Sequence, residues 1–311
     1  MKIVVVGCGK VGFSHLTWLK AQGHQVIGVD SDNSVCQRIQ SDLGENCGMS
    51  QIVDLPHDVD AIHICVPTEP SINGSCDLSI FEKVINDISN RDWNKYPIVV
   101  QRSTCPVGTA DRLARIIPDF PYAVNPSFLR KASIDEDNRH PERIAIGGEG
   151  EAAQHLLDIY SNSDAPKFIT NNRSSVELLK YVENALDSIL ISFWNEILIY
   201  SKRLGIMADD FIRLLENVQD RPKFRTVSRV PGRAYGMWCL PKDIQALIQE
   251  MTRLGCPVGV LSGTSNTNSA AAEIFGEGNI PAKMLYTMKD CRLSVLEEGV
   301  KQIAAYLENG H

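Results

Sequence analysis

Lys2-Ile3-Val4-Val5-Val6-Gly7-Cys8-Gly9-Lys10-Val11-Gly12 is the stretch on which the fold turns. Its apolar run is continuous rather than alternating, which suits a strand covered on both faces in a parallel sheet. Three glycines at G-x-G-x-x-G spacing follow, and a helical pattern then runs over residues 11–22. In such a unit the first glycine permits the tight turn and the second lets a pyrophosphate approach the backbone. The third lets helix and strand pack closely. The helix N-terminus adds free N–H groups and a favourable dipole for phosphate. Further strand-like runs occur at residues 25–30, 61–66, 97–101 and 121–124, with 143–147 and 167–170 as two more; helical segments such as 78–88 lie between them. This alternation predicts an α/β, Rossmann-type doubly wound parallel sheet.

Asp30 ends the second run, 18 residues after Gly12. A carboxylate there accepts hydrogen bonds from a ribose diol and repels a 2′-phosphate, so NAD is the expected cofactor. Gly7, Gly9, Lys10, Val11, Gly12 and Asp30 are its expected contacts. A glycine turn without ligand is the competing reading. Two more segments, Val66-Pro67-Thr68 and Ser103-Thr104-Cys105-Pro106-Val107-Gly108-Thr109, follow strand runs. Loops at carboxyl strand ends line the ligand crevice of open α/β sheets, which adds Val66, Pro67, Thr68, Ser103 and Thr104 to the cofactor set. Composition alone would leave both as ordinary turns.

The pattern changes near residue 172. Ser174 and Glu177 form an S-x-x-E capping box, and a long helical run follows to about Leu204, closed by Gly205. Leu178, Leu179, Val182, Leu186, Ile189, Leu190, Phe193, Trp194 and Ile197 cover more than one of its faces. Such a helix is expected to be buried on several sides, as in the interface of a homodimer. The expected division is therefore an NAD-binding domain over residues 1–172 and a mostly helical domain over 173–311, ending in an amphipathic helix at about 293–307. Lys180 and Asn184 share a helix face, and an ammonium and an amide aimed at one spot suit a developing oxyanion. A solvated helix face explains the same spacing. Cys239 lies in what reads as a loop beside Lys242 and Asp243, where a lowered thiol pKa would make it a nucleophile. A buried structural cysteine is the alternative.

The 311 residues suit about two domains of roughly 150 residues. A formal charge of −7 argues against broad nucleic-acid binding, which needs a basic footprint. No apolar stretch reaches the roughly 18 residues that span a bilayer. The short apolar run at the N-terminus ends in glycines rather than a cleavage site, so it reads as mature sequence. Nine cysteines without C-x-x-C spacing and seven histidines without H-x-x-x-H argue against a metal site or a disulfide framework. Reduced thiols in a cytoplasmic protein are the expectation.

Taken in order, these segments resemble the UDP-glucose/GDP-mannose dehydrogenase family. The resemblance is carried by VPT at 66–68, STCPVGT at 103–109, NPSFLR at 125–130 and PERIAIG at 141–147. ELLKYVEN at 177–184, Asn195-Glu196 and CLPKD at 239–243 continue it. It implies oxidation of a primary alcohol of a sugar, nucleoside or nucleotide-sugar substrate to a carboxylate with two NAD. Cys239 would form a thiohemiacetal and then a thioester. Lys180 and Asn184 match positions that steady the oxyanion, and Thr104 and Asp243 those that organise the water. Phe128, Leu129, Arg130, Lys131, Tyr235 and Gly236 fall in segments that face the substrate.

The chain departs from the family at three places. Where the family has P-E-F-L-R-E, this sequence has Pro126-Ser127-Phe128-Leu129-Arg130-Lys131, and neither Ser127 nor Lys131 is a ready base near neutral pH. Ala234 and Met237 replace glycines before Cys239, and Trp238 adjoins it, which implies a reshaped pocket. Only 68 residues follow Asp243, fewer than the family's C-terminal nucleotide-binding domain would need, so a chain without it is expected. Two other readings stay open: a two-electron alcohol dehydrogenase of the β-hydroxyacid type, and a catalytically impaired NAD-binding homologue.

Overall fold

The computed structural model describes residues 1–130, 132–203, 205–219, 234–235, 239–253 and 258–275. Lys131, Leu204, Gly236, Met237, Trp238 and the helix expected at 293–307 lie outside them, as does the side chain of Cys239. The chain forms two compact units, Met1–Lys180 and Tyr181–His311.

The first unit is built on β1 (Lys2–Val6), β2 (Gln25–Val29), β3 (Gly48–Met49), β4 (Ala61–Ile64), β5 (Ile98–Gln101), β6 (Tyr122–Val124), β7 (Ile144–Gly147) and β8 (Lys167–Thr170). They make one sheet in the order β3-β2-β1-β4-β5-β6-β7-β8. Its helices are α1 (Lys10–Ala21), α2 (Asn33–Leu43), α3 (Ser79–Ser89), α4 (Thr109–Ala114), α5 (Ile134–Arg139) and α6 (Gly150–Ile159). Strand β1 shows why its run is continuous. Val4 and Val6 pack in one core cluster with Phe81, Val84, Ile85 and Ile88 of α3. Ile3 and Val5 pack in another with Leu16 and Leu19 of α1 and Leu156 of α6. Both faces are covered, so no position is left for a polar side chain. β1 pairs in parallel with both β2 and β4, and that reversal of strand order is where a ligand crevice opens.

The sheet is not parallel throughout, contrary to the expectation from the alternating pattern. β6 meets β7 antiparallel through the single register pair Val124↔Gly147, and β7 and β8 run parallel to each other. The connection from β6 to β7, which carries the six-residue α5, brings the chain back at the end at which it left. β3 was not foreseen, since two residues are too few to show a period.

On the α1/α6 face lies a row of buried histidines. His15 Nε2 meets His63 Nδ1 at 2.8 Å, and His63 Nε2 meets His155 Nε2 at 2.9 Å. The outer nitrogens, His15 Nδ1 and His155 Nδ1, are buried without a partner. Burial, with the Arg102 guanidinium near His15 and His63, holds those two well below the usual imidazole range. His155 is lowered to about 4, again mainly by burial. All three are therefore neutral at pH 7.

The long helix α7 (Arg173–Arg203) begins in the first unit and continues into the second. Its start is not a capping box. Asn172 Oδ1 accepts from Ser175 N at 3.0 Å and caps the helix, while Ser174 Oγ donates to Asp111. Glu177 instead reaches the loop before α4. Burial on several sides holds for Tyr181, Ala185, Ser188, Ile191, Trp194 and Leu198. It fails for Leu178, Val182 and Leu186, which are 44%, 50% and 53% exposed on a single chain.

By itself, the second unit joins the remainder of α7 to α8 (Ala208–Gln219), α9 (Cys239–Arg253) and α10 (Gly259–Phe275). Trp194 and Leu198 pack with Phe211, Ile212 and Leu215 of α8. Ala185 packs with Ile244 of α9 and Leu261 of α10. None of the described helices is long and apolar enough to cross a membrane.

Candidate active site

The dinucleotide cradle follows from its glycines. Gly7 has φ +84°, and a Cβ there would lie 2.8 Å from the backbone of Val66. A Cβ on Gly12 would lie 1.9 Å from the Gly7 carbonyl oxygen. Gly9 is different: nothing stands within 4 Å of the Cβ it lacks. It is also the N-cap of α1 and carries no side-chain cap, so the first-turn N–H groups of that helix face open space. A pyrophosphate needs that combination, an uncovered backbone and uncapped donors. Lys10 and Val11 are exposed at the same turn. Asp30 lies directly after β2, its Oδ2 accepting from Cys8 N at 2.7 Å and its Oδ1 from Asp32 N at 3.0 Å. The carboxylate is thereby oriented beside the cradle, as ribose recognition requires. The residues present fit a dinucleotide. Cys8, between the glycines, is a buried thiol pushed up by burial and serves as a small core residue.

The loops after β4 and β5 are tied together. Ser103 Oγ donates to Val66 O at 2.7 Å, and Thr68 Oγ1 donates to Thr104 O at 2.8 Å. Val66, Thr68 and Ser103 are buried while Pro67 is exposed and Thr104 half-buried. Glu177 secures the second loop, accepting from Gly108 N at 2.7 Å, Ala110 N at 2.8 Å and Gln101 Nε2 at 2.9 Å. Burial pushes its carboxyl up to about 7 against the pull of these donors. Sequence spacing had suggested a helix cap for this glutamate; its real partners are distant in the chain and gave no local signal.

The segment after β6 places two cations over the Phe128 ring, with Lys180 Nζ 5.2 Å and Arg143 5.1 Å from its centre. Leu129 is half-buried. Arg130 is engaged by Asp137, whose carboxylate also accepts from the Arg130 main-chain N at 2.7 Å. Ser127 Oγ accepts from Nη2 of the buried Arg102 at 2.8 Å.

Within the second unit, Asn184 Nδ2 donates to Asp243 Oδ2, and both residues are buried. Lys242 Nζ lies 2.8 Å from Asp243 Oδ1 as an ion pair, although its geometry is not that of a hydrogen bond. Cys239 is not in a loop, as expected, but is the first residue of α9. Pro241 is tolerated in the first turn of α9 because its missing N–H would be unpartnered there anyway. Tyr235 is buried, with its hydroxyl pushed up to about 12 by burial. Its main chain is clasped by Asn268 of α10, which accepts from Tyr235 N at 2.6 Å and donates to Tyr235 O at 3.0 Å. Asn268 was missed from the sequence, since a helical asparagine carries no mark of a partner 33 residues away.

A doubly wound sheet with an open, capless glycine cradle at its switch point defines a dinucleotide-binding oxidoreductase domain. Comparison with known proteins narrows the class. The NAD binding domain of the UDP-glucose/GDP-mannose dehydrogenase family matches residues 44–164, and the central domain of that family matches residues 174–270. A UDP-glucose 6-dehydrogenase of Rhizobium meliloti (strain 1021) is 30% identical over 315 aligned positions, covering 91% of this chain and 70% of the relative. UDP-glucose 6-dehydrogenase TuaD of Bacillus subtilis (strain 168) is 28% identical, covering 86% of this chain and 62% of the relative. The solved structure of a UDP-glucose dehydrogenase from the hyperthermophilic archaeon Pyrobaculum islandicum superposes with a TM-score of 0.79 at 31% identity, over 88% of this chain and 69% of that one. The chain belongs to the UDP-glucose/GDP-mannose dehydrogenase family, and its cofactor is NAD. It spans about 62–70% of the length of these relatives.

Proposed function

We propose that the chain is an NAD-dependent dehydrogenase that oxidises a primary alcohol of a sugar or nucleotide sugar to a carboxylate. The observation that carries this reading is the buried Asn184–Asp243 pair, whose aspartate sits one helical turn after Cys239 on α9. NAD would supply the hydride acceptor, held by Gly7, Gly9, Lys10, Val11, Gly12 and Asp30 together with Val66, Pro67, Thr68, Ser103 and Thr104. Cys239 is the nucleophile: a helix N-terminus favours a thiolate, which adds to the aldehyde and holds it until it has become a thioester. Lys180 and Asn184 steady the oxyanion. Thr104 and Asp243 hold the water that releases the acid. Phe128, Leu129, Arg130, Lys131, Tyr235 and Gly236 are the residues we assign to the substrate. We assign residues 1–172 to cofactor binding and 173–311 to the catalytic and dimerising part.

The apolar stripe Leu178, Val182 and Leu186 supports a homodimer, since exposed apolar rows at i, i+4 spacing are covered in stable proteins. The six described free cysteines accord with a reducing, cytoplasmic setting. Ser127, engaged by Arg102 in place of a carboxylate, favours a second reading in which one oxidation occurs and no acid is released. Assay of a nucleotide-sugar panel with NAD decides between them. Two NADH per product acid, with Cys239→Ser stopping turnover, supports the first; one NADH and insensitivity to that substitution overturns it.

A further inference from the structure

Arg102 is a permanent cation, only 5% exposed, at the carboxyl end of β5. A buried guanidinium normally faces a carboxylate, because its desolvation is otherwise uncompensated. Here its partners are all neutral. Nη1 donates to Asn125 Oδ1 and to Tyr160 Oη at 3.1 Å, and Nη2 donates to Ser127 Oγ at 2.8 Å. The thiol of Cys65 lies beside it, pushed up to about 11 mainly by burial and so protonated. No carboxylate among the described residues pairs with it, and its Nε–H is buried without an acceptor. Ser127 accepts from Arg102 and, among the described residues, hands its own proton to nothing.

Arg102 and Ser127 line a cavity of about 20 Å³ with Arg143 at its wall. The acid that borders it, Asp137, is already occupied by Arg130. The volume holds one or two water-sized groups, enough for a carboxylate and too little for a sugar ring. We propose that this cavity, wholly within the first unit, is a carboxylate-binding pocket in which Arg102 supplies the charge and the Ser127 hydroxyl donates the second hydrogen bond. The carboxylate comes either from a free small acid or from the acid group of a sugar whose ring stays outside.

Thermal unfolding of the full chain without NAD tests this independently of any turnover. Formate, acetate and glucuronate are each titrated against chloride at equal ionic strength. A saturable rise in Tm of about 3 °C at tenfold excess over Kd is expected for the carboxylates and not for chloride. A shift with glucuronate alone places the carboxylate on a sugar acid; shifts with formate and acetate as well place a free ion there. Ser127→Glu, which supplies an internal carboxylate, is expected to raise Tm without ligand and abolish the response. Equal shifts with chloride, no shift with any carboxylate, or an undiminished response in Ser127→Glu overturns the proposal.

Discussion

Three glycines in one turn do three separable jobs, and alanine substitution separates them. Gly12→Ala forces a methyl to within 1.9 Å of the Gly7 carbonyl, a clash of backbone against β-carbon with no flexible partner to yield. The expected result is a loss of several kcal/mol or no folded protein. Gly9→Ala meets no atom within 4 Å, so its Tm is expected to stay within about 1–2 °C of the parent. Its Kd for NAD, measured by calorimetry, is expected to rise at least about tenfold, since the methyl enters the phosphate's space. A Gly9→Ala protein with unaltered affinity would remove the cradle from the NAD site. Such a division was legible in the spacing of Gly7, Gly9 and Gly12 because each role depends on local backbone geometry. Glu177 and Arg102 were illegible for the opposite reason: their partners lie up to 76 residues away, and a residue's type does not announce its distant contacts.

At the level of elements, β4, α1 and α6 each contribute one histidine beside a largely aliphatic and aromatic core cluster. The folded state keeps His15, His63 and His155 neutral, whereas the unfolded chain takes up protons below about pH 6.5. Stability is therefore complete above that pH and falls as pH drops toward 4, by up to about 1.4 kcal/mol per pH unit for each histidine. Glu177 acts in the opposite sense. Its folded pKa of about 7 makes it hold a proton that the unfolded chain has lost above pH 4.5, so its contribution declines as pH rises from 4.5 to 7. Three histidines outweigh one glutamate, and urea midpoints at pH 5, 6 and 7.5 are expected to rise with pH; a flat profile would refute the neutral row. His155→Gln is expected to reduce the net slope by about half, because the opposing contribution of Glu177 remains. The strands and α1 were readable because period and punctuation agree there. The start of α9 was not, because no capping residue or change of period marks Cys239 as its first residue. The histidines looked merely scattered, since only the stacking of α1 and α6 on β4 brings them into a row.

For the molecule as a whole, a single chain leaves Leu178, Val182 and Leu186 uncovered along α7. Val182→Glu or Leu186→Glu is expected to convert the protein from twice the chain mass to the chain mass in light scattering, with its helical content retained; a parent that is already monomeric would refute the dimer. A second feature of the first unit has a wider effect. β6 and β7 share one register pair, so the backbone ladder that runs through β3-β2-β1-β4-β5-β6 is nearly interrupted there. What bridges the gap is a side chain: Asn125 Nδ2 donates to Ala145 O at 2.8 Å, while its Oδ1 accepts from Arg102 and Tyr160. A sheet joined by one register pair and one asparagine has its thinnest seam there, and hydrogen exchange is expected to show β7 and β8 opening before the rest of the sheet. The guanidinium that faces the cavity also holds the Asn125 side chain across that line, so a ligand in the cavity and the seam of the sheet share one residue.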